Sequence, residues 1–78
     1  MSVTDRIVVD PAIMLGKPVV RGTRIPVELI VRKISEGASE ADVVAAHPGL
    51  SVSDVRAALA YAVDVLAHEQ TILLDPPV

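Results

Sequence analysis

Hydrophobic positions in this chain switch from a strand-like to a helical pattern at Pro26. Over residues 6–9, Ile7, Val8 and Val9 form a short apolar run of the kind that makes a small strand, and Asp10-Pro11 closes it with a turn signal. The apolar tetrad Ala12, Ile13, Met14 and Leu15 has no clear period and reads as a helical turn ending at Gly16. From Pro26 onward, Val27, Ile30, Val31 and Ile34 recur at i, i+3, i+4 and i+7, which predicts an amphipathic helix with Pro26 at its first position and Gly37 at its end. Ser39 starts a second helix as N-cap, with Asp42 three positions on in an acidic variant of the capping box. Val43, Val44 and His47 line one side of it, and Pro48-Gly49 ends it. Ser51 and Asp54 repeat the cap for the longest helix. Its expected buried stripe is Val52, Val55, Leu59, Ala62 or Val63, and Leu66, and its expected end is about His68.

Residues 16–26 join the two patterns. Pro18 biases Lys17 towards extended geometry and suits an edge strand, Val19 and Val20 favour strand, and Gly22 stands where a tight turn needs positive φ. The stretch predicts edge strand, turn, strand and helix start. The expected fold is therefore mainly α: a three-helix, helix-turn-helix-like bundle with a small N-terminal β element of two or three short strands. Lys17, Arg21 and Arg24, with Thr23 between them, crowd this turn. Two readings stand side by side: an anion or phosphate surface, and solvated charges that keep a strand edge from pairing with another chain.

Charge sharpens the picture. The net charge is −3, yet residues 1–33 hold six cations against three acids, and residues 34–78 hold one cation, Arg56, against seven acids. Long-range attraction for a polyanion would come from the first half, and a cationic partner would dock on the second. The acidic total argues mildly against a strong autonomous DNA binder. At 78 residues with one aromatic, Tyr61, the core must be built from small aliphatics, so a homodimer or a partner is an expected source of further burial. The absence of cysteine excludes disulfides and thiolate metal sites. Met1 leads into Ser2, Thr4 and Asp5 rather than a cationic start and apolar segment, and no apolar run reaches the roughly 18 residues of a spanning helix; a cytoplasmic protein away from membranes is expected.

The break His47-Pro48-Gly49-Leu50 has the spacing of a helix-turn-helix whose third helix would be the reader, although a plain three-helix corner gives the same spacing. Positions expected to face out on that helix are Ser53, Asp54, Arg56, Ala57, Ala60, Tyr61 and Asp64. Arg56 is suited to a guanine edge or a phosphate, while Asp54 and Asp64 would repel the backbone beside it. The histidines, His47 and His68, stand in no nucleophile–base arrangement, and no phosphate-loop or dinucleotide fingerprint is present. No enzyme activity, metal or cofactor is expected.

The run Gly16-Lys17-Pro18-Val19-Val20-Arg21-Gly22-Thr23-Arg24-Ile25-Pro26-Val27, followed by Gly37 and by Asp54-Val55-Arg56-Ala57-Ala58-Leu59-Ala60-Tyr61, closely resembles the bacterial and archaeal family of domains of unknown function numbered 433, over residues 6–61. The resemblance implies a strand-plus-three-helix domain of the homeodomain-like class. It also implies an antitoxin-like role, neutralising a PIN-like ribonuclease toxin, with repression of the protein's own operon through its helix-turn-helix as a further expectation. On the reading of the residues above, DNA would be met by Lys17, Arg21, Thr23, Arg24 and Arg56. A stand-alone DNA-binding regulator and a dimerising interaction module without nucleic acid are the other expectations. The chain divides into a domain over residues 1–68 and an apolar tail over 69–78, where Ile72, Leu73 and Leu74 precede Asp75-Pro76-Pro77. Those three aliphatics either pair as a strand with residues 6–9 or a dimer mate, or fill a groove on a partner, which is how the resemblance implies a toxin would be held.

Overall fold

A computed structural model of the chain describes residues 5–73, with side chains as far as residue 68. Two short strands, β1 (Ile7–Val8) and β2 (Val19–Val20), pair antiparallel with Ile7 opposite Val20 and Val8 opposite Val19. Three helices follow: α1 (Val27–Ser35), α2 (Glu40–Ala46) and α3 (Val52–Leu73). The chain is mainly α, as its periodicity predicts.

The third strand expected before α1 shrinks to one bridge, Val19 to Pro26. Val20 N–H donates to the Ile25 carbonyl, and Val27 N–H donates to the Pro18 carbonyl. Pro26 has no N–H to extend the ladder, so pairing stops and the helix begins. Pro26 itself is extended, at φ −74° and ψ 148°, and flanks α1 as its cap residue instead of occupying the first helical position. The turn between the two arms is closed by Thr23 N–H donating to the Val20 carbonyl, with Gly22 at φ +81° where a left-handed residue is needed. The apolar tetrad becomes a 3-10 turn over Met14–Gly16, with Met14 and Leu15 both at positive φ and Leu15 almost fully exposed.

Helix ends follow local chemistry. At the C-terminus of α1, Ala38 N–H donates to the Lys33 carbonyl and Gly37 N–H to the Ile34 carbonyl, the paired bonds of a Schellman ending, with Gly37 at φ +106°. Both expected capping boxes form. Asp42 N–H donates to Ser39 Oγ (3.0 Å) while Ser39 N–H donates to the Asp42 carboxylate (2.9 Å). Asp54 N–H donates to Ser51 Oγ (3.2 Å) while Ser51 N–H donates to the Asp54 carboxylate (2.9 Å). Between α2 and α3, Leu50 N–H donates to the His47 carbonyl, and the buried Leu50 side chain anchors the corner.

The core cluster is Val20, Val27, Ile30, Val43, Leu50, Val55 and Ala58, drawn from β2, all three helices and the corner. The buried face of α3 differs from the expected stripe. Val55, Ala57 and Ala58 are buried, Leu59 and Ala62 are half-buried, and Val52, Val63 and Leu66 are exposed. For Val63 and Leu66 the cause is length. By residue count, α3 extends about 33 Å against about 13 Å for α1 and 10 Å for α2, so it outruns both neighbours. Residues 63–68 are all exposed, and the backbone stays helical through Leu73 instead of ending near His68. Ile72 and Leu73 are thus helical in backbone and do not add a strand to β1; their side chains, and Leu74 altogether, lie outside the described residues.

Candidate functional site

The cations expected to form one anion surface are distributed among different partners. Lys17, just before β2, extends Nζ to Glu28 on α1 at 3.3 Å, and Arg32 donates to the other oxygen of the same carboxylate at 2.9 Å. With Arg32 and then Lys17 donating to it, Glu28 is held below the usual carboxylate range. Arg21 follows β2 directly and folds back on β1: its Nε donates to the Asp5 carbonyl at 2.6 Å. Together with Asp5, Arg6 and Asp54, it lines a cleft of about 440 Å³ with two cations and two acids. Arg24 faces elsewhere, lining a second cleft with Ile13, Gly22 and Thr23. Thr23 is occupied within the turn, donating Oγ1–H to the Val20 carbonyl (2.8 Å) and accepting from Ile25 N–H (3.0 Å). Its hydroxyl proton is committed to shaping the loop that presents Arg24.

Arg56 is tied down as well. Its Nε and Nη2 grip the Glu40 carboxylate at 3.0 and 3.1 Å, a two-pronged pair joining the start of α2 to α3. That pairing holds Glu40 below its ordinary pKa and raises that of Arg56. A guanine edge or phosphate would have to compete with Glu40 for the same guanidinium face. Asp54, expected as an exposed acid beside the reader, instead accepts from Arg6 Nη1 at 3.0 Å as well as capping α3, and its side chain is only 14 % exposed. Burial pushes its carboxyl up, but Ser51 and Arg6 outweigh that and the net direction is down. Ala57 is buried and Tyr61 half-buried, so two more expected reader positions are withdrawn; Ser53, Ala60 and Asp64 do face out.

Among the described residues, five of the seven cations sit in ion pairs with carboxylates, leaving Arg21 and Arg24 without one. Two of these pairs join the cation-rich half to the acid-rich half, Arg6 with Asp54 and Lys33 with Glu36, while Arg56 with Glu40 lies within the acid-rich half. Among the described residues, no three His, Asp or Glu side chains gather where a metal ion could be held. No helix among them is long and apolar enough to cross a membrane.

Apolar surface is concentrated in another place, one that the sequence reading assigned to the core. A groove of about 520 Å³ runs between α1 and α3, walled by Pro18, Val27 and Val31 on one side and Tyr61, Ala62, Val65 and Leu66 on the other, with Glu28, Arg32 and Ser35 along its rim. Val63, between Ala62 and Val65, is exposed and does not line the groove, and α3 continues beyond Leu66 as an arm. The signal that could have found this surface is the mismatch in predicted helix lengths, since apolar positions beyond the reach of α1 have nothing to pack on.

Residues 7–62 match the family described as protein of unknown function (DUF433). The chain belongs to that family. Its DUF433 core thus runs from the first residue of β1 to Ala62, the last half-buried residue of α3 before the exposed stretch 63–68. An uncharacterized protein from Archaeoglobus fulgidus is 61% identical over 28 residues, covering 36% of this chain and 78% of that protein. The crystal structure of a DUF433 member protein from Anabaena variabilis superposes with a TM-score of 0.69 at 34% identity, over 74% of this chain and 57% of that one. The chain thus matches little more than half the length of that solved relative.

Proposed function

We propose that this DUF433 chain is an antitoxin-like protein that neutralises a PIN-like ribonuclease, gripping it with the end of α3, which includes Ile72 and Leu73, and with Leu74 after it. The observation that carries this reading is the arm. The family match ends at Ala62, yet α3 continues to Leu73 with residues 63–68 all exposed, so a helix with apolar positions is held clear of the core. A helix presented this way suits insertion into an apolar groove of another protein. The arm and tail suit a cationic groove, because residues 57–78 contain Asp64, Glu69 and Asp75 and no Lys or Arg.

Repression of its own operon is the weaker part of the reading. It would rest on Arg21 and Arg24, and the closed ion pairs of Lys17 and Arg56 weigh against a broad phosphate-binding surface. The toxin contact is tested with the nuclease encoded in the same operon. The full chain is expected to stop RNA cleavage at equimolar ratio, and a chain ending at Glu69 is expected to leave cleavage running. Equal inhibition by both forms would remove the arm's end from the contact, and inhibition by neither would overturn the antitoxin reading.

A further inference from the structure

The groove between α1 and α3 is a second surface, separate from the terminal residues assigned to the toxin. We infer that it is the homodimer interface of this chain: the base of α3 from one copy lies in the α1/α3 groove of another, and the reverse contact forms by two-fold symmetry. Three observations select a second copy as the occupant.

The first is self-complementarity. Tyr61, Ala62, Val65 and Leu66 wall the groove, and the same stretch is the ridge that projects from the domain, with Leu66 58 % and Val65 40 % exposed. A surface that is both ridge and groove can satisfy itself about a two-fold axis, as an isologous contact requires. The second is charge. Two α3 helices laid directly side by side would bring together stretches that carry only acids after residue 56. The α1 wall offers the opposite sign: Arg32 on the rim and Lys17, which does not itself line the groove, share the single carboxylate of the rim residue Glu28, so this side keeps a net positive charge. The part of α3 after Arg56 in a partner copy, with Asp64 and Glu69 and no Lys or Arg, is therefore drawn over α1, and that fixes which wall it meets. The third is need. The fully buried hydrophobics are mostly Val and Ala, and 51% of the chain is hydrophobic with a single aromatic, so a large apolar share is left for a partner to cover. A small-molecule ligand fits less well, because the groove's charged groups, Glu28 and Arg32, lie on one rim and already bond to each other.

The test is sedimentation equilibrium on the full chain, with circular dichroism to verify folding of each variant. The native chain is expected at twice its 8.2 kDa mass. Val65→Glu and Leu66→Glu, at exposed positions, are each expected to raise the dimer dissociation constant on the order of a thousandfold, since symmetry counts each buried anchor twice. Val63→Glu is the control: Val63 is 66 % exposed but does not line the groove, so its dimer persists. Added salt is expected to weaken the native dimer, since opposite charges meet. A monomer at the highest soluble concentration would overturn the inference, as would a dimer that Val65→Glu and Leu66→Glu leave intact. A dimer that tightens with salt would overturn the placement of α3 over α1. A small apolar compound carried through purification in the groove of a monomer would also overturn it.

Discussion

Asp54 joins two parts of the fold that local sequence keeps 48 residues apart. One of its oxygens accepts from Ser51 N–H at the start of α3, and the other accepts from Arg6, the residue before β1. Replacing Asp54 by Ala removes both bonds. Loss of a helix-capping bond costs about 1 kcal/mol, and loss of an ion pair whose Arg is half exposed costs about 0.5 kcal/mol after solvent screening. For a domain of this size about 1.5 kcal/mol corresponds to a fall in melting temperature of roughly 6–12 °C. Asp54→Asn keeps an oxygen for the cap and loses the charge, so it is expected to fall by roughly half as much or less. The assay is thermal unfolding followed by circular dichroism, with Asp64→Ala as a control, an exposed acid on the same helix. Because Asp54 titrates below its ordinary value of 3.8 in the folded chain, its stabilisation is complete above that value. The penalty of Asp54→Ala therefore shrinks as pH falls through the folded value. If Asp54→Ala melts no lower than Asp64→Ala near neutral pH, the tie between β1 and α3 contributes nothing and the reasoning fails.

Other consequences of the structure can be measured in the same way. Glu28, Glu40, Asp42 and Asp54 all have folded pKa values below their ordinary ones, 4.5 for Glu and 3.8 for Asp, so each stabilises the fold above those values. The melting temperature should hold level down to about pH 5 and drop below pH 4.5, and a fold that gains stability on acidification would contradict these pairings. Gly37→Ala puts a Cβ at φ +106° and should cost about 1–2 kcal/mol in urea unfolding, whereas no change would mean the α1 ending is not left-handed in solution. Ile30 is fully buried at the centre of the core, so Ile30→Ala should cost about 2–5 kcal/mol and leave a chain of this size largely unfolded, seen as a flat thermal melt. Any binding to the protein's own upstream DNA should need low salt and vanish when Arg21 and Arg24 are both changed to Ala; retention at moderate salt by that double variant would place the nucleic-acid surface elsewhere.

Features set by neighbouring residues were legible in the sequence. Ser39 with Asp42 and Ser51 with Asp54 specify capping boxes because three-residue spacing brings the carboxylate back to the cap N–H. Gly37 and Gly22 mark the places where the backbone must turn left-handed. Contacts between distant parts were not legible. Arg6 with Asp54 and Arg56 with Glu40 turn two apparent surface cations into ties between elements, and no local pattern encodes a pairing across 48 or 16 residues. The buried stripe of α3 was misjudged for a related reason. Helical period says which residues share a face but not how far along that face a neighbour extends, so Leu66 fell in the predicted core and stands on the surface. Ala57, expected to face out, and Ala58, absent from the expected stripe, are both buried where α3 lies against the rest of the domain, because small residues carry little periodic signal.

The central claim is that this chain works by holding out a helix for another protein and not by reading DNA with it. Affinity capture of the tagged full chain from its own host, beside the chain ending at Glu69, tests that claim most directly. A small nuclease with an acidic active site, retained by the full chain at moderate salt and lost on truncation, is the predicted result. Recovery of nucleic acid in place of a nuclease, unchanged by the truncation and abolished by changing Arg21 and Arg24 to Ala, would contradict it.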